Sequence, residues 1–323
     1  MKNKRYYVIV SARKVTGGVE LAHQMCRELL EKGCQAWMYY IQSEQKEPVD
    51  ALPDIRYKKY GTSHVNSLEG IDSEDSVLIV PEGAAAWALP WNKCKRVLWW
   101  MSVDNYVRNA KLSGVDYFDD LRKRVSLHLV QSEYAFQYLL GRGIPRENIL
   151  KVSDYIGENY GKFQLPCEFR KDIALYNPQK GLEELRPLIE RIDWLKWIPL
   201  INLTEEQMMA IMGIAKVYID FGGHPGKDRI PREAASSGCC VITNKKGSAH
   251  FYEDIPIPDC YKIDDVPKEY DRIENLLKDI CIHWEKHYME FEEYRRFISG
   301  ERQRFAEDVK TFVNVMEGVK RIY

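Results

Sequence analysis

The sequence predicts an α/β protein made of two parallel-sheet domains followed by C-terminal helices, and three observations carry that prediction. Short apolar, β-branched runs alternate with amphipathic helical stretches, the pattern of βαβ units. The alternation stops in a stretch rich in glycine, proline and charge, 154–169, and then starts again. Between Asp220 and Thr243 the chain reads DFGGHPGKDRIPREAASSGCCVIT: a strand end, a glycine- and charge-rich loop, a helix and a second buried strand. The expected division is an N-terminal domain over 1–155, a second domain over 170–265, and helices over 266–323 packing on the core. A chain of 323 residues is long enough for two such cores.

The first half opens with the β-rich run Tyr6 to Ala12, then Thr16-Gly17-Gly18 and an amphipathic helix from Val19 to Lys32 with Gly33 as its stop. Gln35 to Ile41 is a second strand, and the polar, proline-bearing segment Glu44 to Asp54 reads as a loop. Ser76 to Val80, Arg96 to Met101 and Leu127 to Gln131 follow as buried strands. Ser132 starts a helix that runs to Leu140, and Ile149 to Val152 is a last short strand. Polar residues collect just after these strands, at Gly17 and Gly18, Glu82, Asp104 and Ser132. In an open parallel sheet those carboxyl ends share one edge, where ligands bind. Trp99-Trp100 reads as core packing.

The second half restarts with a strand from Asp172 to Tyr176, then Asn177-Pro178-Gln179-Lys180-Gly181 and a helix to Arg191. Leu195 to Leu200 is a strand, and Thr204 caps a helix from Glu205 to Met212. Val217 to Phe221 leads into the glycine loop. Pro231 near the start of the next helix and Gly238 past its end give the usual asymmetry of helix termini. From Lys268 onward the pattern is helical.

Composition narrows the function. Hydrophobic residues at 45% and charged residues at 29% suit a globular chain. A formal net charge of −1 supplies no global field for nucleic acid, so no such partner is expected. Eight cysteines without a C-x-x-C pair read as reduced thiols of a cytoplasmic protein. The apolar run after MKNKR is broken at Arg13 and Lys14, shorter than a signal peptide needs. No apolar stretch reaches the roughly 18 residues of a membrane span; peripheral membrane contact by the charged C-terminal helices stays open. His23, His64, His128, His250, His283 and His287 lack metal-ligand spacing, and neither a metal nor a cofactor is expected.

A strand, a polar glycine loop and a helix start together form an anion site, because N–H groups and the helix dipole point at its mouth. Lys227 and Arg229 add positive charge there, and Glu233, one turn into the helix, offers acceptors for hydroxyl groups. Gly247-Ser248 follows the next strand and offers further N–H groups to phosphate. His224 is read as a structural turn residue before a catalytic one.

With these segments in place the chain resembles the GT-B nucleotide-sugar glycosyltransferases, and its second half is similar to their glycogen-synthase-like retaining group. The resemblance rests on the Gly17-Gly18 turn, Lys180-Gly181, His224-Pro225, and Glu233-Ala234 through Gly238 before Cys240-Val241-Ile242. It implies two Rossmann-like domains facing across a cleft and a metal-independent, retaining hexosyl transfer in polysaccharide biosynthesis. The implied partners are a nucleotide-sugar donor and a glycan or lipid-linked acceptor. That group carries two glutamates with seven residues between them. Glu233 matches the second; the first falls at Pro225, and Asp228 is the nearest acid to replace it. The arginine usual before the lysine is also missing, and Arg229 is the candidate to supply its charge. The expected donor and phosphate contacts are therefore Gly17, Gly18, Lys180, Lys227, Arg229, Glu233 and Ser248, with Asp228, Glu82 and Asp104 as catalytic candidates. A non-catalytic module of the same fold, binding a glycan or nucleotide or scaffolding a partner, is the alternative that the missing glutamate favours.

Overall fold

The computed structural model describes residues 4–12, 15–42, 45–48, 54–162 and 165–319. Its contacts divide the chain into two units, Met1–Asp154 with Arg302–Tyr323, and Tyr155–Glu301. The stretch 266–323, read from sequence as one set of C-terminal helices, is therefore shared between the units. Arg13, Lys14, Glu44, residues 49–53 and residues 163–164, which entered the sequence reading, lie outside the described residues.

The first unit holds a seven-stranded sheet. Its strands are β1 (Arg5–Ser11), β2 (Gln35–Gln42), β3 (Gln45–Pro48), β4 (Ser76–Pro81), β5 (Lys95–Trp100), β6 (Leu127–Val130) and β7 (Ile149–Lys151). They lie in the order β3-β2-β1-β4-β5-β6-β7, parallel except for β3. The order reverses between β1 and β4, so the crevice beyond their carboxyl ends is where such a sheet takes a ligand. Helices α1 (Gly17–Glu31), α2 (Val103–Ser113), α3 (Phe118–Arg124) and α4 (Glu133–Gly141) connect the strands. Strands β1, β4 and β5 are buried almost throughout, as strands covered on both faces must be. Trp99 and Trp100 are fully buried core residues, and the Trp100 indole donates to His128 Nδ1 at 3.0 Å.

Two expectations change here. Glu44 to Asp54 was read as a loop, yet Gln45–Pro48 pairs antiparallel with β2; a four-residue polar edge strand leaves no apolar period to read. The segment after Asp104 was given no helix, yet it forms α2 and α3. Ser102 caps α2 by accepting the Asn105 N–H at 3.3 Å, and Gly114 closes it at φ 70°. Only Val103 and Tyr106 of α2 are buried, too few for a helical stripe in the sequence.

The second unit holds a five-stranded parallel sheet of β8 (Lys171–Tyr176), β9 (Lys196–Pro199), β10 (Ala215–Asp220), β11 (Cys240–Asn244) and β12 (Lys262–Ile263). Their order is β12-β11-β10-β8-β9, with the reversal between β8 and β10. Helices α5 (Leu182–Arg191), α6 (Glu205–Ile214), α7 (Arg229–Ser236), α8 (Tyr270–Ile282), α9 (Trp284–Glu290) and α10 (Glu292–Ser299) belong to it, and α11 (Glu301–Met316) follows. Thr204 and Gln207 close a reciprocal capping box at the start of α6. The core runs from Ile173, Ala174 and Leu175 of β8 through β10 and β11 to Ile273, Leu277 and Ile280 of α8 and Phe291 and Tyr294 at α10. Buried Arg170 ties the helix ends together, donating to the carbonyls of Met212 at 3.2 Å, Ala215 at 2.8 Å and Ser237 at 2.6 Å. These bonds satisfy carbonyls that a helix leaves open at its C-terminus. Among the described residues, no helix is long and apolar enough to cross a membrane.

Candidate functional site

The site is built where the second sheet reverses its order. The loop after β8 and the loop after β10 leave neighbouring strands and touch. Gly181 has φ +64°, and a Cβ there would stand 2.4 Å from the Gly222 nitrogen; a Cβ on Gly222 would stand 2.5 Å from the Lys180 Cβ. Only glycine allows this approach and this backbone. Asn244, at the end of β11, holds the second loop by donating from Nδ2 to the carbonyls of Phe221 at 2.6 Å and Gly222 at 2.9 Å.

Lys180 and Asp228 bridge the two loops. The ammonium lies 3.0 Å from Asp228 Oδ1, and the lysine side chain is 33% exposed, so solvent reaches it. The other oxygen of Asp228 lies 3.0 Å from His224 Nδ1, and His224 Nε2 is 4.0 Å from Asp220 Oδ1. Asp220 in turn accepts the Tyr218 hydroxyl at 2.9 Å and the Gly222 N–H at 3.0 Å. Burial pushes the Asp228 carboxyl up, but the His224 and Lys180 charges outweigh it and hold it below the usual carboxylate range. Burial likewise pushes His224 down, and Asp228 and Asp220 outweigh that and raise it.

Asp220, His224 and Asp228 carry ligand-type atoms within 4.8 Å of one another, the only such group among the described residues. Each ring nitrogen of His224 faces a different carboxylate, and Lys180 already neutralises Asp228. These three side chains are the ones that could hold a metal ion, and Lys180 shares Asp228 with His224.

Asp228 is also the residue before α7, yet its side chain makes no capping bond to that helix. It faces Lys180 and His224 instead, at a helix start of the kind that favours anions. Arg229 is the first residue of α7, and its Nε lies 3.4 Å from Glu233 Oε1 one turn on; Glu233 is 7% exposed. Lys180, Asp228, Arg229 and Glu233 thus stand together around the start of α7.

Other expected contacts are engaged elsewhere. Lys227 is buried, with its ammonium 2.8 Å from Glu301 Oε1 and over the Phe297 ring. Fully buried Arg232 binds the other Glu301 oxygen at 2.8 Å and donates to the carbonyls of Asp228 at 3.1 Å and Lys227 at 3.0 Å. Lys227 therefore shapes the loop from the inside and does not offer its charge at the mouth. Ser248 is fully buried; its hydroxyl donates to the Gly226 carbonyl at 2.6 Å and its N–H to the His224 carbonyl at 2.8 Å. It too holds the loop. Asp228, expected as an acid to replace a glutamate, lies between Lys180 and His224, and their charges hold its carboxyl below the usual carboxylate range.

In the first unit, α1 begins at Gly17, and neither Gly17 nor Gly18 has positive φ. Thr16 is the cap, accepting the Val19 N–H at 3.4 Å, and its own N–H donates to the Tyr57 hydroxyl at 3.3 Å. Glu82, just beyond β4, is buried and accepts the Met101 N–H at 3.0 Å. Burial pushes its carboxyl up to about 7. Asp104 is exposed in the first turn of α2 and accepts the Tyr134 hydroxyl at 2.9 Å.

The sequence reading missed Asp220, Arg232, Asn244 and Glu301. Asn244 just after a buried strand was a signal open to it. The pairing of Arg232 with Glu301, 69 residues away, had none.

No family model matches the sequence, and no curated protein does. Solved structures do match over nearly the whole chain. The Anabaena protein HepE in complex with UDP and glucose matches with a TM-score of 0.70 at 9% identity, covering 98% of this chain and 100% of that one. A glycosyltransferase from Rickettsia africae matches at 0.66 and 12%, covering 98% and 99%. The sucrose-phosphate synthase of Thermosynechococcus elongatus matches at 0.64 and 12%, covering 98% and 100%. At these identities the likeness shows the fold: the two-unit, Rossmann-like α/β architecture of GT-B glycosyltransferases.

Proposed function

We propose that this chain is a glycosyltransferase that moves a hexosyl group from a nucleotide-sugar donor to a glycan or lipid-linked acceptor, in the building of a polysaccharide. The observation that carries the reading is the meeting of Lys180, Arg229 and Glu233 at the uncapped start of α7, at the switch point of a parallel sheet. Breaking the glycosidic bond of such a donor leaves negative charge on a diphosphate. Groups fixed in advance toward that charge stabilise the transition state more than the ground state. Each charge-assisted hydrogen bond from Lys180 or Arg229 contributes about 1.5–3 kcal/mol, and the helix start adds about 0.3–2 kcal/mol. Together they supply what a divalent cation otherwise would, so we propose a transfer without metal. We assign the ribose hydroxyls to Glu233, as the resemblance implies.

HepE was solved with UDP, with UDP and glucose and with UDP-glucose, which makes UDP the first nucleotide to try on this chain. Glu82, held partly neutral near pH 7, is the acid–base candidate of the first unit. We carry retention of configuration over from the resemblance at Lys180-Gly181 and Glu233. The eight free cysteines support a reducing, cytoplasmic setting.

The test is slow hydrolysis of a panel of nucleotide sugars, followed with and without excess chelator, with the anomeric form of the product read by NMR. Release of sugar that survives the chelator supports the proposal. Pro225, where the related group has its first glutamate, favours the second reading, a non-catalytic binding module. Under that reading UDP binds and no donor is turned over.

A further inference from the structure

Lys180, Asp228, His224 and Asp220 form a row of facing charged and titratable groups, from a part-exposed lysine to a buried aspartate. Lys180 meets one oxygen of Asp228 and His224 meets the other, both at 3.0 Å. The far side of the imidazole faces Asp220. His224 is fully buried, while the Lys180 side chain keeps 33% of its surface exposed. The imidazole is fully buried and the backbone that carries it is held, because the His224 carbonyl accepts the Ser248 N–H and the Ser248 hydroxyl donates to the Gly226 carbonyl two residues on. A single carboxylate, Asp228, thus faces two basic side chains, one fully buried and one a third exposed.

We propose that His224 is a positioning residue of the anion site, the second counter-ion of Asp228, whose hold on that carboxylate lets Lys180 leave it for a diphosphate. The inference rests on reading this site as the place of the donor diphosphate. Removing the only partner of a buried charge is strongly opposed, whereas removing one of two is not. With His224 in place, Asp228 stays paired when Lys180 turns outward. Without it, Asp228 and an incoming phosphate compete for one ammonium, and the carboxylate, only 15% exposed, keeps it. The charged groups that face the imidazole are Asp228 and Asp220, with Lys180 beyond Asp228. The two carboxylates outweigh burial and favour its cationic form.

The experiment is titration calorimetry of the full chain with UDP and with inorganic pyrophosphate, on the wild type, Lys180→Ala, His224→Gln, Asp228→Asn and the His224→Gln/Asp228→Asn double variant. We expect His224→Gln to weaken both ligands about tenfold, an ordinary size for coupled charges. Asp228→Asn should bind as tightly as wild type or more tightly, because Lys180 has lost its competitor. In that background His224→Gln should then change affinity by less than about twofold. A histidine that only shapes the loop weakens binding equally in both backgrounds, and that result overturns the proposal. Should His224→Gln fail to fold, Asp228→Asn alone decides: retained or tighter binding supports the proposal, and a loss as large as that of Lys180→Ala overturns it. If the wild type binds neither ligand, or Lys180→Ala binds both as well as wild type does, the diphosphate site itself falls. If Lys180→Ala is weak and the His224 effect persists without Asp228, only the role of His224 falls.

Discussion

The Lys180 ammonium and the Asp228 carboxylate stand 3.0 Å apart and 48 residues apart in sequence, joining the loops that follow two neighbouring strands. Because the lysine is a third exposed and Asp228 keeps His224 at 3.0 Å, losing the pair costs little stability, about 0–1 kcal/mol. Lys180→Ala should therefore melt near the wild-type temperature while its affinity for UDP falls about 10- to 100-fold, the worth of one charge-assisted hydrogen bond. Calorimetry beside a thermal melt checks both. A large loss of stability with intact binding would place Lys180 in the scaffold instead.

Gly181→Ala tests how closely the two loops meet. The new methyl group would stand 2.4 Å from the Gly222 nitrogen, on a backbone at φ +64°. The strained backbone costs about 1–3 kcal/mol, and moving a loop to relieve the clash adds about 1–3 kcal/mol. Urea denaturation should show the loss, and UDP binding should weaken with it. A variant as stable as wild type would mean that the loops are further apart.

Glu301 joins two buried cations, Lys227 and Arg232. Glu301→Gln removes the carboxylate charge that the two cations share and should cost about 3–5 kcal/mol, read by urea denaturation. Lys227→Met should lose stability yet keep its UDP affinity within about twofold, as it removes no charge from the mouth of the site. The opposite pattern, full stability with lost binding, would return Lys227 to the ligand.

Glu82 gives the chain a pH signature. Burial raises its carboxyl from 4.5 to about 7, so its neutral form is the one that folding favours. Its contribution is whole below about pH 4.5 and is lost as pH rises through about 7. Glu82→Gln removes that loss: the variant should match wild type near pH 4.5 and exceed it by up to about 3 kcal/mol above pH 8. Denaturation curves at the two pH values check it. A stability difference that does not change with pH would show that Glu82 is not held neutral.

Much of this was legible in the sequence, for physical reasons. Strands such as Val77–Val80 and Val97–Trp100 are covered on both faces, so they stand out as apolar runs. Lys180-Gly181 and the loop before Glu233 were visible because a tight approach demands glycine and an anion site demands charge. What stayed hidden depends on distant partners. Lys227 and Arg229 are two residues apart and look alike, yet Glu301 claims one, while the other stands at the start of α7 beside Glu233. Ser248 looked like a phosphate donor until Gly226 took its hydroxyl. Helix α2 escaped because it buries so little, although its cap at Ser102 and its stop at Gly114 were both in view.

The central claim is that the second unit binds a nucleoside diphosphate at the start of α7, and the most direct measurement is calorimetric titration of UDP into the wild type and Glu233→Gln. The account predicts saturable one-to-one binding to the wild type, weakened about tenfold or more in the variant with little change in melting temperature. A flat titration of the wild type up to about 1 mM UDP, or equal binding by both proteins, would contradict it.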